Sequence, residues 1–139
     1  MIVDTSALLA ILYNEPDAAW FVDALVTAPV CRISAANFLE AAINIDTHGD
    51  ADASRQLDNF IRKAGIEIAP VTAEQAQIAR QAYLDYGKGR HKAGLNFGDC
   101  FAYALAQSTG EPLLFKGDDF PHTDILAYPA DAGPGSDRR

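Results

Sequence analysis

The chain has 139 residues, 49% of them hydrophobic and 22% charged, which suits one globular domain and excludes a disordered or fibrous chain. Its longest apolar stretch, residues 7–13, falls far short of the roughly 20 needed to span a bilayer, and no basic leader precedes it. The expectation is a cytoplasmic protein without a membrane partner, and its formal net charge of −8 excludes long-range steering of nucleic acid.

"MIV" reads as a first strand, and "TSALLAILYN" as a helix over 5–14 capped by Thr5 or Ser6. "NEP" breaks that helix, and "DAAWFVDALVT" begins a second with Trp20, Phe21 and Leu25 on one face. A strand, "PVCRIS", leads to a helix over 35–48 that ends at Gly49, and a further helix covers 50–65. "IEIAPV" is the third strand, followed by a helix over 73–86. Residues 86–98, "YGKGRHKAGLNFG", form a Gly-rich loop with three cations and no acid, before an apolar helix that Gly110 closes. "PLLF" is a short buried strand, a last strand is expected over 124–128, and 129–139 has the composition of a disordered tail. Strands alternating with helices predict a small, mostly parallel central sheet covered on both faces, within one domain over 1–128. Cys31 and Cys100 have no metal-type spacing and read as buried thiols.

In such a sheet sites form at the carboxyl ends of strands, so acids that follow strands need scrutiny. Asp4 directly follows the first strand; taken alone, it reads as a turn or cap. Glu40 shares a helix face with Asn37 and Asn44, a pattern that also fits a solvated stripe. Asp99 heads the apolar helix, where the helix dipole favours a carboxylate. Asp118 and Asp119 follow a buried strand, as turn residues do, yet adjacent like charges repel and a cation relieves the cost. Taken together, four elements deliver carboxylates, and oxygen-rich clusters select hard divalent cations such as Mg²⁺ or Mn²⁺, which activate water towards phosphodiesters.

The stretches "MIVDTSALLAILYNEPDA", "ISAANFLEAA", "YGKGRHKAGLNFGDCFAYALA" and "GEPLLFKGDDFPHTDI" resemble the VapC-type toxins of the PIN-domain ribonucleases, over residues 1–124. The resemblance implies a PIN-like three-layer α/β/α sandwich and a Mg²⁺- or Mn²⁺-dependent endoribonuclease that cuts structured RNA, such as tRNA or rRNA loops, and inhibits translation. It implies Asp4 and Asp99 as principal metal ligands, Glu40 holding the metal or its water, and Asp119 as the fourth acid with Asp118 in reserve. Thr5 or Ser6 is expected to support Asp4 through its hydroxyl. RNA contacts fall to Lys88, Arg90, His91, Lys92 and Lys116. The family also implies a VapB-type antitoxin, whose segment would lie in an apolar groove of Leu9, Leu12, Tyr13, Trp20 and Phe21, and a homodimer.

Two other readings compete. A receiver-type phosphoacceptor has acids at strand ends and a late lysine, but it carries adjacent acids after its first strand, where this chain has Thr5 and Ser6. A non-catalytic PIN-like binding module would lack a carboxylate, and all four positions are filled.

Overall fold

The structure, a computed structural model, describes residues 1–128; the expectation of a disordered tail over 129–139 lies outside them. Four strands, β1 (Ile2–Val3), β2 (Cys31–Ser34), β3 (Ile66–Ala69) and β4 (Leu113–Leu114), form one parallel sheet in the order β3-β2-β1-β4. Six helices connect and cover them: α1 (Thr5–Leu12), α2 (Ala18–Thr27), α3 (Ala35–His48), α4 (Ala51–Ala64), α5 (Ala73–Tyr86) and α6 (Phe97–Thr109).

Strand alternation sends neighbouring side chains to opposite faces, and this divides the core in two. Val3, Ile33 and Leu114 point to one side, where they pack with Ala7, Leu8, Phe21, Ala41 and Leu57 from α1 to α4. Ile2 and Leu113 point to the other, against Ala79 and Ala82 of α5 and Ala102 to Ala106 of α6. The result is the expected three-layer α/β/α sandwich. Because every strand is parallel, all four carboxyl ends lie along one edge. Asp4, Ser34 and the loop after Leu114 emerge there.

Three local expectations need correction. The first helix stops at Leu12 rather than residue 14, since Pro16 disfavours helical geometry in the residue before it and Asn14 turns left-handed at φ 51°. No strand forms over 124–128. A short 3₁₀ turn at Phe120–His122 takes up the chain, leaving one bridge between Leu113 and Ala127. Leu126, 61% exposed, has no face to bury there. Phe21 is fully buried in the core, so it cannot line an external groove. Gly110 does close α6, in the left-handed conformation at φ 71°.

Candidate active site

Asp4 is both the residue that follows β1 and the N-cap of α1. Its Oδ2 accepts the Ser6 backbone N–H at 3.0 Å and the Ser6 hydroxyl at 2.6 Å. This corrects the expectation that Thr5 or Ser6 caps the helix: the extended backbone at Asp4 puts its own carboxylate in reach, and Thr5 is already helical. The Ser6 hydroxyl in turn accepts the Lys116 backbone N–H at 2.9 Å, tying the loop after β4 to Asp4. Asp4 Oδ1 is buried with no hydrogen-bond partner.

Of the two hydroxyls expected to support Asp4, that of Ser6 bonds it, while that of Thr5 turns to Glu40. The Thr5 hydroxyl donates to Glu40 Oε1 at 2.6 Å, and its oxygen also lies 3.2 Å from the Asn37 carbonyl. Ser34 ends β2 and caps α3 by accepting the Ala36 N–H, which launches the helix that carries Glu40. Asp99 sits in the first turn of α6 in a reciprocal cap. Its amide donates to Asn96 Oδ1 at 2.9 Å, and its Oδ2 accepts the Asn96 N–H at 3.0 Å. Asp119 stands at the N-cap position of the 3₁₀ turn Phe120–His122, without a capping hydrogen bond from its side chain.

The acids feel one another. Burial, followed by the charges of Asp99 and Glu40, pushes Asp4 up to about 7 against the Ser6 hydrogen bonds. Burial also pushes Asp99 up to about 6, with further contributions from Asp119 and Glu40. The structure therefore brings Asp4, Glu40, Asp99 and Asp119 into one electrostatic group. It is Asp119, not Asp118, whose charge reaches Asp99. Among the described residues, no Lys, Arg or His forms an ion pair with any of the four.

An unpaired buried oxygen and several unneutralised carboxylates are the donor set that a hard divalent cation satisfies. The side chains nevertheless do not form a closed cage: among the described residues, no three Asp, Glu, His or Cys are gathered at ligand spacing.

The cations are arranged less uniformly than expected. Lys88, Arg90 and Lys92 are exposed on the loop that feeds α6, and the Arg90 guanidinium lies 5.5 Å from the Tyr83 ring centre. His91 is half-buried; its Nδ1 accepts the Ala93 N–H at 3.0 Å and its ring meets Tyr86 edge-on, so it shapes the loop. Lys116 is already paired, with Nζ 2.5 Å from Glu15 and 3.1 Å from Asp17. Both cysteines are free and buried, and burial lifts the Cys100 thiol to about 11, so neither serves as a nucleophile near neutral pH.

Two contributors went unassigned in the sequence. Asn37 is fully buried and donates through Nδ2 to the Gly98 carbonyl at 2.9 Å, joining α3 to α6 beside two of the acids. Gly98 lies directly against the Glu40 carboxylate. The Asn-x-x-Glu spacing on one face of α3 was the available signal for the first. Nothing local marks the second.

Comparison with known proteins returns a single picture. Residues 1–126 match the family model described as PIN domain. The chain is 55% identical over 126 residues to "Ribonuclease VapC28" of Mycobacterium tuberculosis, covering 90% of this chain and 95% of that protein. It is 50% identical over 127 residues to "Ribonuclease VapC" of Mycolicibacterium smegmatis, covering 91% and 98%. Among solved structures it is similar to Mycobacterium tuberculosis VapC20, described as a sarcin-ricin loop cleaving toxin, with a TM-score of 0.72 at 16% identity and coverage of 90% and 95%. It is also similar to FitAcB from Neisseria gonorrhoeae, with a TM-score of 0.67 at 17% identity and coverage of 91% and 94%.

Proposed function

The chain belongs to the PIN-domain family, among its VapC ribonucleases, and from that premise we propose that residues 1–128 are one PIN domain acting as the endoribonuclease toxin of a toxin–antitoxin pair. The observation that carries the reading is the unneutralised group of Asp4, Glu40, Asp99 and Asp119 at the carboxyl edge of the sheet. A receiver domain is disfavoured, since the middle acid lies within α3 rather than at a strand end.

Asp4 and Asp99 are the principal ligands of a divalent cation, Mg²⁺ or Mn²⁺, with Asp119 and Glu40 completing the set. When bound, the cation supplies charge neutralisation at the phosphoryl oxygens and lowers the pKa of water for hydrolysis of the phosphodiester. Asp4 offers its unpaired Oδ1, while Ser6 holds Oδ2 in place. Glu40, fixed by Thr5, is placed to orient attacking water or to share the ligation. Asp99 keeps one oxygen in the helix cap, which sets the direction of the other.

Lys88, Arg90 and Lys92 contact the RNA backbone, and the target is a single-stranded loop of structured RNA such as tRNA or rRNA, with arrest of translation as the consequence. Lys116 takes a structural part instead, since Glu15 and Asp17 already neutralise it. A VapB-type antitoxin is the partner. Its segment lies over α1 and α2, where Leu9, Leu12 and Trp20 are half-buried and Tyr13 is exposed. Exposed Leu39 and Ile43 of α3 and Phe97 of α6 suit a second copy of the chain. Among the described residues no helix is long and apolar enough to cross a membrane, and we place the protein in the cytoplasm, where its RNA targets are.

The test is incubation with total RNA and Mg²⁺, with and without EDTA, beside Asp4→Asn and Asp99→Asn, mapping the cut ends. Discrete cuts that vanish with EDTA and in both variants are expected. Cuts that survive both substitutions overturn the assignment.

A further inference from the structure

We propose that Gly98 is a positioning residue for Glu40: the side chain it lacks is the seat in which the Glu40 carboxylate rests. This rests on the metal-dependent reading of the site above.

Gly98 lies inside the first turn of α6 in ordinary helical conformation and is buried. A glycine there is costly, because it weakens a helix relative to alanine and no left-handed backbone angle calls for it. The reason is space. A Cβ at this position would lie 2.5 Å from Glu40 Oε1 and 2.6 Å from Glu40 Cδ, well inside van der Waals contact. The obstructed atoms are the far end of a flexible side chain rather than backbone, so an added methyl would drive the Glu40 carboxylate out while leaving the fold in place.

Two hydrogen bonds hold the seat together. Asn37 Nδ2 donates to the Gly98 carbonyl at 2.9 Å and fixes the helix at this distance from α3. The Thr5 hydroxyl donates to Glu40 Oε1 at 2.6 Å and holds the carboxylate in the seat. Asn37 and Glu40 are one turn apart on α3, so the helix that carries the acid also grips its seat. Gly98 thereby sets the position of Glu40 relative to Asp99, its immediate neighbour in the chain.

The experiment is a double-mutant cycle on the full chain with Gly98→Ala, Glu40→Ala and both together. Mn²⁺ affinity is read by calorimetry, RNA cleavage at saturating metal is read separately, and a melting curve serves as the fold control. Gly98→Ala alone is expected to melt at or near the wild-type temperature and to lose about ten- to hundredfold in affinity or cleavage, as Glu40→Ala does. The double variant is expected to lose no more than Glu40→Ala. If Gly98→Ala alone does not fold but the double variant does, the seat is likewise supported, since truncating Glu40 makes room for the methyl. Wild-type behaviour of Gly98→Ala beside an impaired Glu40→Ala overturns the seat and leaves the site reading intact. Additive losses, or a double variant that also fails to fold, overturn it too. Wild-type behaviour of Glu40→Ala overturns both the seat and the role given to Glu40.

Discussion

At Asp4 one side chain has an oxygen for each of two roles that read as alternatives along the chain. One oxygen caps α1, and the other is buried without a partner, which leaves it for the ligand role proposed above. Asp4 is raised from 3.8 to about 7 and Asp99 from 3.8 to about 6, so the folded protein binds these protons more tightly than the unfolded chain. Their contribution to stability is fully present below about pH 4 and is lost as the pH rises through 6 to 7. Urea unfolding in EDTA is expected to show the metal-free protein losing stability between pH 5 and pH 8, with a divalent cation restoring it at pH 8. Asp4→Asn removes the buried charge while keeping an oxygen for Ser6. It is expected to raise metal-free stability at pH 8 by about 1–3 kcal/mol and to abolish cleavage. A destabilised Asp4→Asn would mean that Asp4 serves the fold rather than the site.

The elements explain why some expectations were legible and others were not. Parallel order, the Gly110 stop and the apolar α6 follow from periodicity and turn chemistry, which are local properties of the chain. The grouping of the acids on four elements is not local; it was inferred from acids that follow the strands of a parallel sheet, and the resemblance then assigned their roles and the preference for Asp119. The pairing of Lys116 was not legible, because its partners, Glu15 and Asp17, lie about a hundred positions away, in the turn between α1 and α2. Gly98 was passed over because its neighbour Glu40 belongs to another helix. The cations test this distinction. Arg90→Ala is expected to weaken RNA binding and lower the salt slope by about 0.7, with Mg²⁺ affinity unchanged, whereas Lys116→Ala leaves the slope as it is. Equal losses of slope in filter-binding titrations would contradict the pairing of Lys116. Ser6→Ala cuts the link from the β4 loop to Asp4 and is expected to cost about 1 kcal/mol in denaturant unfolding.

The whole molecule is acidic; four of its carboxylates lie near the carboxyl edge of the sheet, and three of its exposed cations, Lys88, Arg90 and Lys92, lie on the loop before α6. Such a distribution suits the proposed cation among the acids and RNA on the basic loop, and it leaves the metal-free acids raised by burial and by one another. The account stands or falls on whether a metal binds at Asp4. Mn²⁺ binding at pH 6.5, measured by calorimetry in two buffers of different ionisation enthalpy, tests this most directly. Release of about one proton per ion bound is expected, most of it from Asp4, at about 7, and the rest from Asp99, at about 6, and most of the release should disappear in Asp4→Asn together with most of the affinity. Binding of equal strength in Asp4→Asn, or binding without proton release, would contradict it.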